Sequence, residues 1–184
     1  MSRQFWEETL GWAVADGTAV ANTTTETIIF PNLTVPANYM QDGRVIKVTA
    51  FGRLSSVTAP TIRFRLRWGG VAGTLIWDSG TITTNSGTAA LWKSEIFIQT
   101  RSNGSTGTVF AVGTQYVGSA AAPTVASATG APALGVYGSA GDDTPAAVTV
   151  DLTADTALSL TAAWSAASAS NTLTGHVYVL EALN

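Results

Sequence analysis

Cysteine is absent from the 184-residue chain, which excludes disulfide staples and thiolate metal sites. Histidine occurs once, at His176, so sites built on several imidazoles are excluded and any histidine-assisted nucleophile would rest on that residue alone. Charge is scarce as well. Charged residues make up 11%, against about 25% in an ordinary soluble domain. The formal net charge is -3, and the nine basic residues are dispersed, which gives no footing for nucleic acid. No segment approaches the roughly 18 uninterrupted apolar residues of a membrane span, and the opening MSRQFWEETLGW lacks the apolar run of a secretory signal. The expectation is a soluble chain made in the cytoplasm, with no membrane partner. With so few charges, much of the surface must be Thr, Ser, Asn, Gly and Ala. Such a surface costs little to desolvate against a partner, and it also suits a neutral free-standing sandwich.

What is present is period two. In TIRFRLRW, Thr61 to Trp68, the residues Ile62, Phe64, Leu66 and Trp68 alternate with Thr61, Arg63, Arg65 and Arg67. Side chains alternate faces along a strand, so this octapeptide lays one apolar face on a core and holds three guanidinium groups on the other. Strands of the same kind are expected at Thr25 to Phe30, stopped by Pro31, and at Val45 to Ser56, where Gly52 suggests a bulge or bend. Further strands are expected at Thr74 to Trp77, Leu91 to Arg101, Thr108 to Val117, Val148 to Leu152, Ala157 to Trp164 and Thr172 to Leu183. Asp42-Gly43, Gly69-Gly70, Asp78-Ser79-Gly80 and Asn103-Gly104 mark turns. Residues 118–147 are rich in Ala, Gly, Ser, Thr and Pro and read as a long loop with at most a short strand near Leu134 to Tyr137. Helical periodicity is sustained nowhere. The pattern predicts one all-β domain, an antiparallel β-sandwich of eight or nine strands over residues 25–184. A jelly roll is the first choice, with a fibronectin-like or immunoglobulin-like sandwich second.

Residues 1–24 read as an N-terminal arm. Phe5, Trp6, Leu10 and Trp12 put four large apolar side chains near a terminus; such an arm either docks on another protein or folds back over its own sheet. The arginine stripe Arg63, Arg65 and Arg67 admits two readings. It is a contact for an acidic partner, or it is neutralised by cross-strand pairing with Glu95 or Glu181. These seven residues are the candidate assembly contacts. Catalytic candidates are thin. His176 sits mid-strand beside Tyr178, where a hydrogen-bonded structural role is favoured. Asp142-Asp143, with Asp151 and Asp155, lack calcium-loop spacing. No nucleophile elbow or phosphate loop appears. Neither an enzyme, a metal nor a cofactor is expected.

Several stretches together resemble a family of small virion structural proteins of tailed bacteriophages and prophages. These are ADGTAVANTTTETIIFPNLTVPANYMQDGRVIKVTAFGRLSS, TIRFRLRWGG, the STGTV turn at 105–109 within LWKSEIFIQTRSNGSTGTVFAVG, and the ending WSAASASNTLTGHVYVLE. The resemblance covers the chain from about Ala15 onward and marks strands and turns, not binding residues. It implies a jelly-roll capsid decoration protein on the outer surface of the virion head, commonly a homotrimer. Its implied partner is the major capsid protein or another virion protein. The alternative function is a carbohydrate-binding or tail-fibre module for host attachment, in which Trp68, Trp77, Trp92 or Trp164 would form a stacking platform. Alternation already places Trp92 and Trp164 with the core.

Overall fold

The computed structural model describes residues 7–118, 133–139 and 145–183. Among these, fourteen strands form and no helix does: β1 (Glu8–Trp12), β2 (Val20–Ala21), β3 (Thr27–Ile28), β4 (Leu33–Val35), β5 (Val45–Ser56), β6 (Thr61–Trp68), β7 (Thr74–Asp78), β8 (Ile82–Thr83), β9 (Gly87–Ser102), β10 (Gly107–Val117), β11 (Ala133–Tyr137), β12 (Val148–Val150), β13 (Thr156–Trp164) and β14 (Thr172–Ala182). They make two sheets. The larger, sheet A, runs β1-β14-β5-β9-β10-β11, with β2 also on β14 and β12 also on β10. The smaller, sheet B, runs β3-β13-β6-β7, with β4 also on β13 and β8 also on β6. Every pairing is antiparallel. The antiparallel β-sandwich read from the sequence is therefore what the chain forms.

Two pairs of a nested jelly-roll order are present, β5 with β14 and β6 with β13. The inner strands follow another order: β9 lies beside β5 and β10 beside β9, while β7 stays next to β6. Strands exceed the expected number because β1, β2, β4 and β8 arise in segments without sustained alternation. Three of them are only two or three residues long, too short to carry a periodic signal. The segment expected to be an arm is, over its described part, built into the sandwich. Strand β1 pairs with β14 from Glu8↔Ala182 to Trp12↔Val179, and β2 pairs with the other end of the same strand.

Each sheet ends on strands broken into two short pieces laid end to end: β1 and β2 on β14, β11 and β12 on β10, β3 and β4 on β13, and β7 and β8 on β6. Pro31 separates β3 from β4, and Asp78-Ser79-Gly80 closes β7 ahead of β8. Short, interrupted edges offer no long row of free N–H and C=O groups to a foreign strand.

The core lies between the sheets, and strict alternation supplies it. Ile46, Val48, Ala50 and Leu54 of β5 point inward, as do Ile62, Phe64, Leu66 and Trp68 of β6 and Trp92, Ile96 and Ile98 of β9. At its centre Phe30 stacks on Tyr178 at 4.8 Å between ring centroids, and Trp92 lies 5.2 Å from Phe64. Burial drives the Tyr178 phenol pKa upward. The buried indoles find backbone acceptors: Trp68 Nε1 donates to Asp151 O (3.0 Å), Trp92 Nε1 to Thr174 O (3.3 Å) and Trp164 Nε1 to Val20 O (3.1 Å). Gly52 does not bulge. It lies in continuous register with Gly175 and Trp92, and a Cβ there would meet Thr174 O at 2.0 Å and Trp92 Nε1 at 2.6 Å. The bulge falls on the neighbouring strand, between Gly175 and Val177. Because it shifts the alternation by one residue, His176 and Val177 are both exposed.

Candidate assembly surface

The arginine stripe projects from the outer face of sheet B, opposite the core-facing Ile62, Phe64, Leu66 and Trp68. Its three cations are threaded on two carboxylates. Asp78, fully buried on β7, accepts from Arg63 Nε (2.7 Å), Arg63 Nη2 (2.7 Å) and Arg65 Nε (3.0 Å). Glu26 accepts from Arg65 Nη1 (2.7 Å), Arg67 Nε (2.5 Å) and Arg67 Nη2 (2.9 Å), and from Thr161 Oγ1 (2.6 Å). The order along the face is Arg63, Asp78, Arg65, Glu26, Arg67. Burial by itself would raise the Glu26 pKa. The hydrogen bonds from Arg67 and Thr161 and the charges of Arg67 and Arg65 outweigh it, holding the carboxyl at about 2.

The pairing within the protomer is as anticipated, but the partners are not. Glu95 and Glu181 lie in sheet A, where they pair with Lys93 (3.0 Å) and Lys47 (2.9 Å). Which carboxylate faces a given strand is set by topology, and local alternation does not contain it. Glu26 reaches the stripe only because β3 docks on β13, next to β6.

The outer face of sheet A is of a different kind. Phe51, Leu91, Phe97, Val177 and Trp12 point away from the core on β5, β9, β14 and β1, and are 39%, 63%, 39%, 45% and 59% exposed. Val45, Phe110, Val112, Tyr116 and Val179 lie half-buried among them. Register makes this one continuous field. Val177 lies opposite Phe51, which lies opposite Lys93 and then Tyr116; Trp12 lies opposite Val179; Lys47 lies opposite Phe97 and then Val112. Strand β10 directs Val109, Ala111, Gly113, Gln115 and Val117 into the sandwich, and its two aromatics, Phe110 and Tyr116, outward with Val112. Charges on the face are mostly satisfied laterally. Besides the Lys47–Glu181 and Lys93–Glu95 pairs, the Lys93 ammonium lies over the Phe51 ring at 5.5 Å and the Arg101 guanidinium over Phe110 at 5.0 Å. A contiguous, partly apolar field of this kind is a typical protein-contact surface.

Sequence alternation grouped Phe110, Val112 and Tyr116 without saying whether that set meets water, and it set Phe97 among the charged positions of its strand, opposite Trp92, Ile96 and Ile98. Phe51 was legible in principle, being out of phase with Ile46, Val48 and Leu54. Val177 was not, since the bulge beside Gly175 reverses the phase.

The remaining candidates are dispersed. Leu10 packs against the core from the sheet edge, Trp12 belongs to the outer face of sheet A, and Phe5 and Trp6 lie outside the described residues. His176 Nδ1 meets Asp16 Oδ1 at 2.8 Å, tying the segment after β1 to β14. Asp151 accepts from Thr153 N and Oγ1, and Asp155 accepts from Ala37 N at 2.7 Å. Both carboxylates organise turns; Asp142-Asp143 lie outside the described residues. Trp68, Trp77, Trp92 and Trp164 are all buried, so the stacking platform that the glycan-binding alternative would draw from them does not exist. Alternation had placed Trp68, Trp92 and Trp164 on core-facing positions and left the choice of face open only for Trp77.

No protein-family model matches this chain, and no curated protein matches it. Among solved structures, a similar one is the CBM2 module of the evolved Dit of Lactobacillus casei BL23 phage J-1, at 10% identity and a TM-score of 0.40 over 97% of each chain. A likeness that distant assigns no function.

Proposed function

We propose that this chain is a non-catalytic structural protein of a tailed-phage virion, decorating or cementing the outer surface of the head. Its partner is the major capsid protein or another virion protein. One observation carries the assembly part of this reading: the outer face of sheet A presents Trp12, Phe51, Leu91, Phe97 and Val177 in one field whose carboxylates Glu95 and Glu181 are already paired by lysines. Contact with a second protein removes that apolar area from water without stranding those charges. The virion part is supported by the resemblance of the strand and turn segments to small phage structural proteins, and the low charge of the chain suits a life packed against neighbours.

The test is mass spectrometry of gradient-purified particles made by a host carrying this gene. The chain is expected in the particle band at a fixed ratio to the major capsid protein, and in heads separated from tails. Its absence from washed particles overturns the virion reading; its recovery with tails alone overturns the head assignment.

A further inference from the structure

We infer that the outer face of sheet A is a self-complementary interface, covered by the same face of a second copy of this chain. The inference rests on reading that face as an assembly surface and adds the identity of its occupant.

Three observations point to a copy. The first is charge. The face carries Lys47, Arg53, Lys93 and Arg101 with Glu95 and Glu181. Glu181 and Glu95 neutralise Lys47 and Lys93 within the face, leaving Arg53 and Arg101 at its two ends, so a two-fold that keeps those ends apart lays a neutral, partly apolar centre on itself. A dedicated acidic or basic partner would be met by a face of the opposite single sign.

The second is size. Strands β14, β5, β9 and β10 are at least eleven residues long. At about 4.8 Å between strands and about 3.3 Å per residue they span roughly 19 by 36 Å, on the order of 700 Å². A standard stable interface takes about 800 Å² from each partner. Trp12 on the adjoining β1 extends the field toward that value.

The third is the state of the edges. All four are interrupted short strands, so copies have little to gain from edge-to-edge pairing and the open face is the remaining route. Arg53 and Arg101 fix the manner of crossing. They stand at opposite ends of the face, ten residues apart in the register of β9, because Arg53 lies opposite Leu91. That is about 33 Å. In an aligned, head-to-tail stack each would lie over the other's counterpart. A near-orthogonal crossing, one of the two common sheet-packing geometries, carries both to the rim and centres Phe51, Phe97 and Val112.

The proposal is tested by sedimentation equilibrium of the full chain from 1 to 200 μM, on wild type and on the double variant Phe51→Ser, Phe97→Ser. Val57→Ser and Val71→Ser, exposed in loops away from the face, serve as controls. A wild-type dimer is expected, weakened at least tenfold by the double variant and changed less than twofold by either control. Should the double variant misfold, amide shifts of the wild type followed over the same concentrations give an independent readout, expected to be confined to β14, β5, β9 and β10. A wild type monomeric at 200 μM, a trimer, a dimer indifferent to the double variant, or shifts elsewhere on the molecule would overturn the proposal. Failure here and failure of the virion reading are separable. A monomer found in particles refutes only the copy-on-copy contact, and a dimer absent from particles refutes only the virion assignment.

Discussion

Glu26→Gln tests the arginine ladder most sharply, because it keeps the shape of the side chain and deletes its charge. The Glu26 carboxylate takes three guanidinium contacts and the Thr161 hydroxyl, all between 2.5 and 2.9 Å. Its pKa falls from an ordinary 4.5 to about 2. At 1.36 kcal/mol per pKa unit, that is on the order of 3 kcal/mol of stability tied to the ionised form. The sign follows from the depressed value: the contribution is complete above about pH 5, where the unfolded carboxyl is also ionised, and is lost as pH falls toward 2. Glutamine cannot titrate, and its amide NH₂ turns one donor toward Arg65 or Arg67. Urea denaturation should therefore show the variant less stable by about 3 kcal/mol at pH 7. The gap between variant and wild type should close progressively between pH 5 and pH 2. A gap below about 1 kcal/mol at pH 7, or one that stays constant across that range, would refute the assignment of Glu26 as the charged centre of the ladder.

Other positions give simpler outcomes. Gly52→Ala places a methyl 2.0 Å from the Thr174 carbonyl and 2.6 Å from Trp92 Nε1; because the nearer atom is backbone, the melting temperature should fall by more than 10 °C or soluble protein should be lost. Trp92→Ala empties the centre of the core and should cost about 3–5 kcal/mol in a denaturant titration, while Trp12→Ala, on the outer face, should leave monomer stability within about 1 kcal/mol. His176→Gln removes only a partly exposed pair with Asp16, and should change stability by less than about 1 kcal/mol.

Much of the architecture was legible because the long strands alternate without a break. Val45–Ser56 and Thr61–Trp68 form strands with the bounds their alternation predicts. The Asp42-Gly43 and Asn103-Gly104 turns place glycine at φ of 81° and 106°, as a tight reversal demands. What alternation cannot carry is pairing between distant strands. The ladder needed Glu26 brought to β6 by way of β13, and no local signal encodes that journey. Nor does alternation say which of two apolar stripes meets water. On β10 the buried stripe is Val109, Ala111, Gly113, Gln115 and Val117, and the stripe that carries both aromatics, Phe110 and Tyr116, is the one left outside. The outer apolar field was therefore legible only in part: Phe51 and Phe97 stand out of phase with the buried residues of their own strands, but Phe110 and Tyr116 look like core residues until the sheets are assembled. Among the tryptophans, alternation placed Trp68, Trp92 and Trp164 with the core and left only Trp77 undecided; all four fill the interior.

The central claim is that the outer face of sheet A exists to be covered by protein. Density for a whole particle containing this chain measures that directly. The account predicts Phe51, Leu91, Phe97 and Val177 buried against a neighbouring subunit while the Arg63–Arg67 face of sheet B remains open. A particle in which that apolar face looks out to solvent would contradict it.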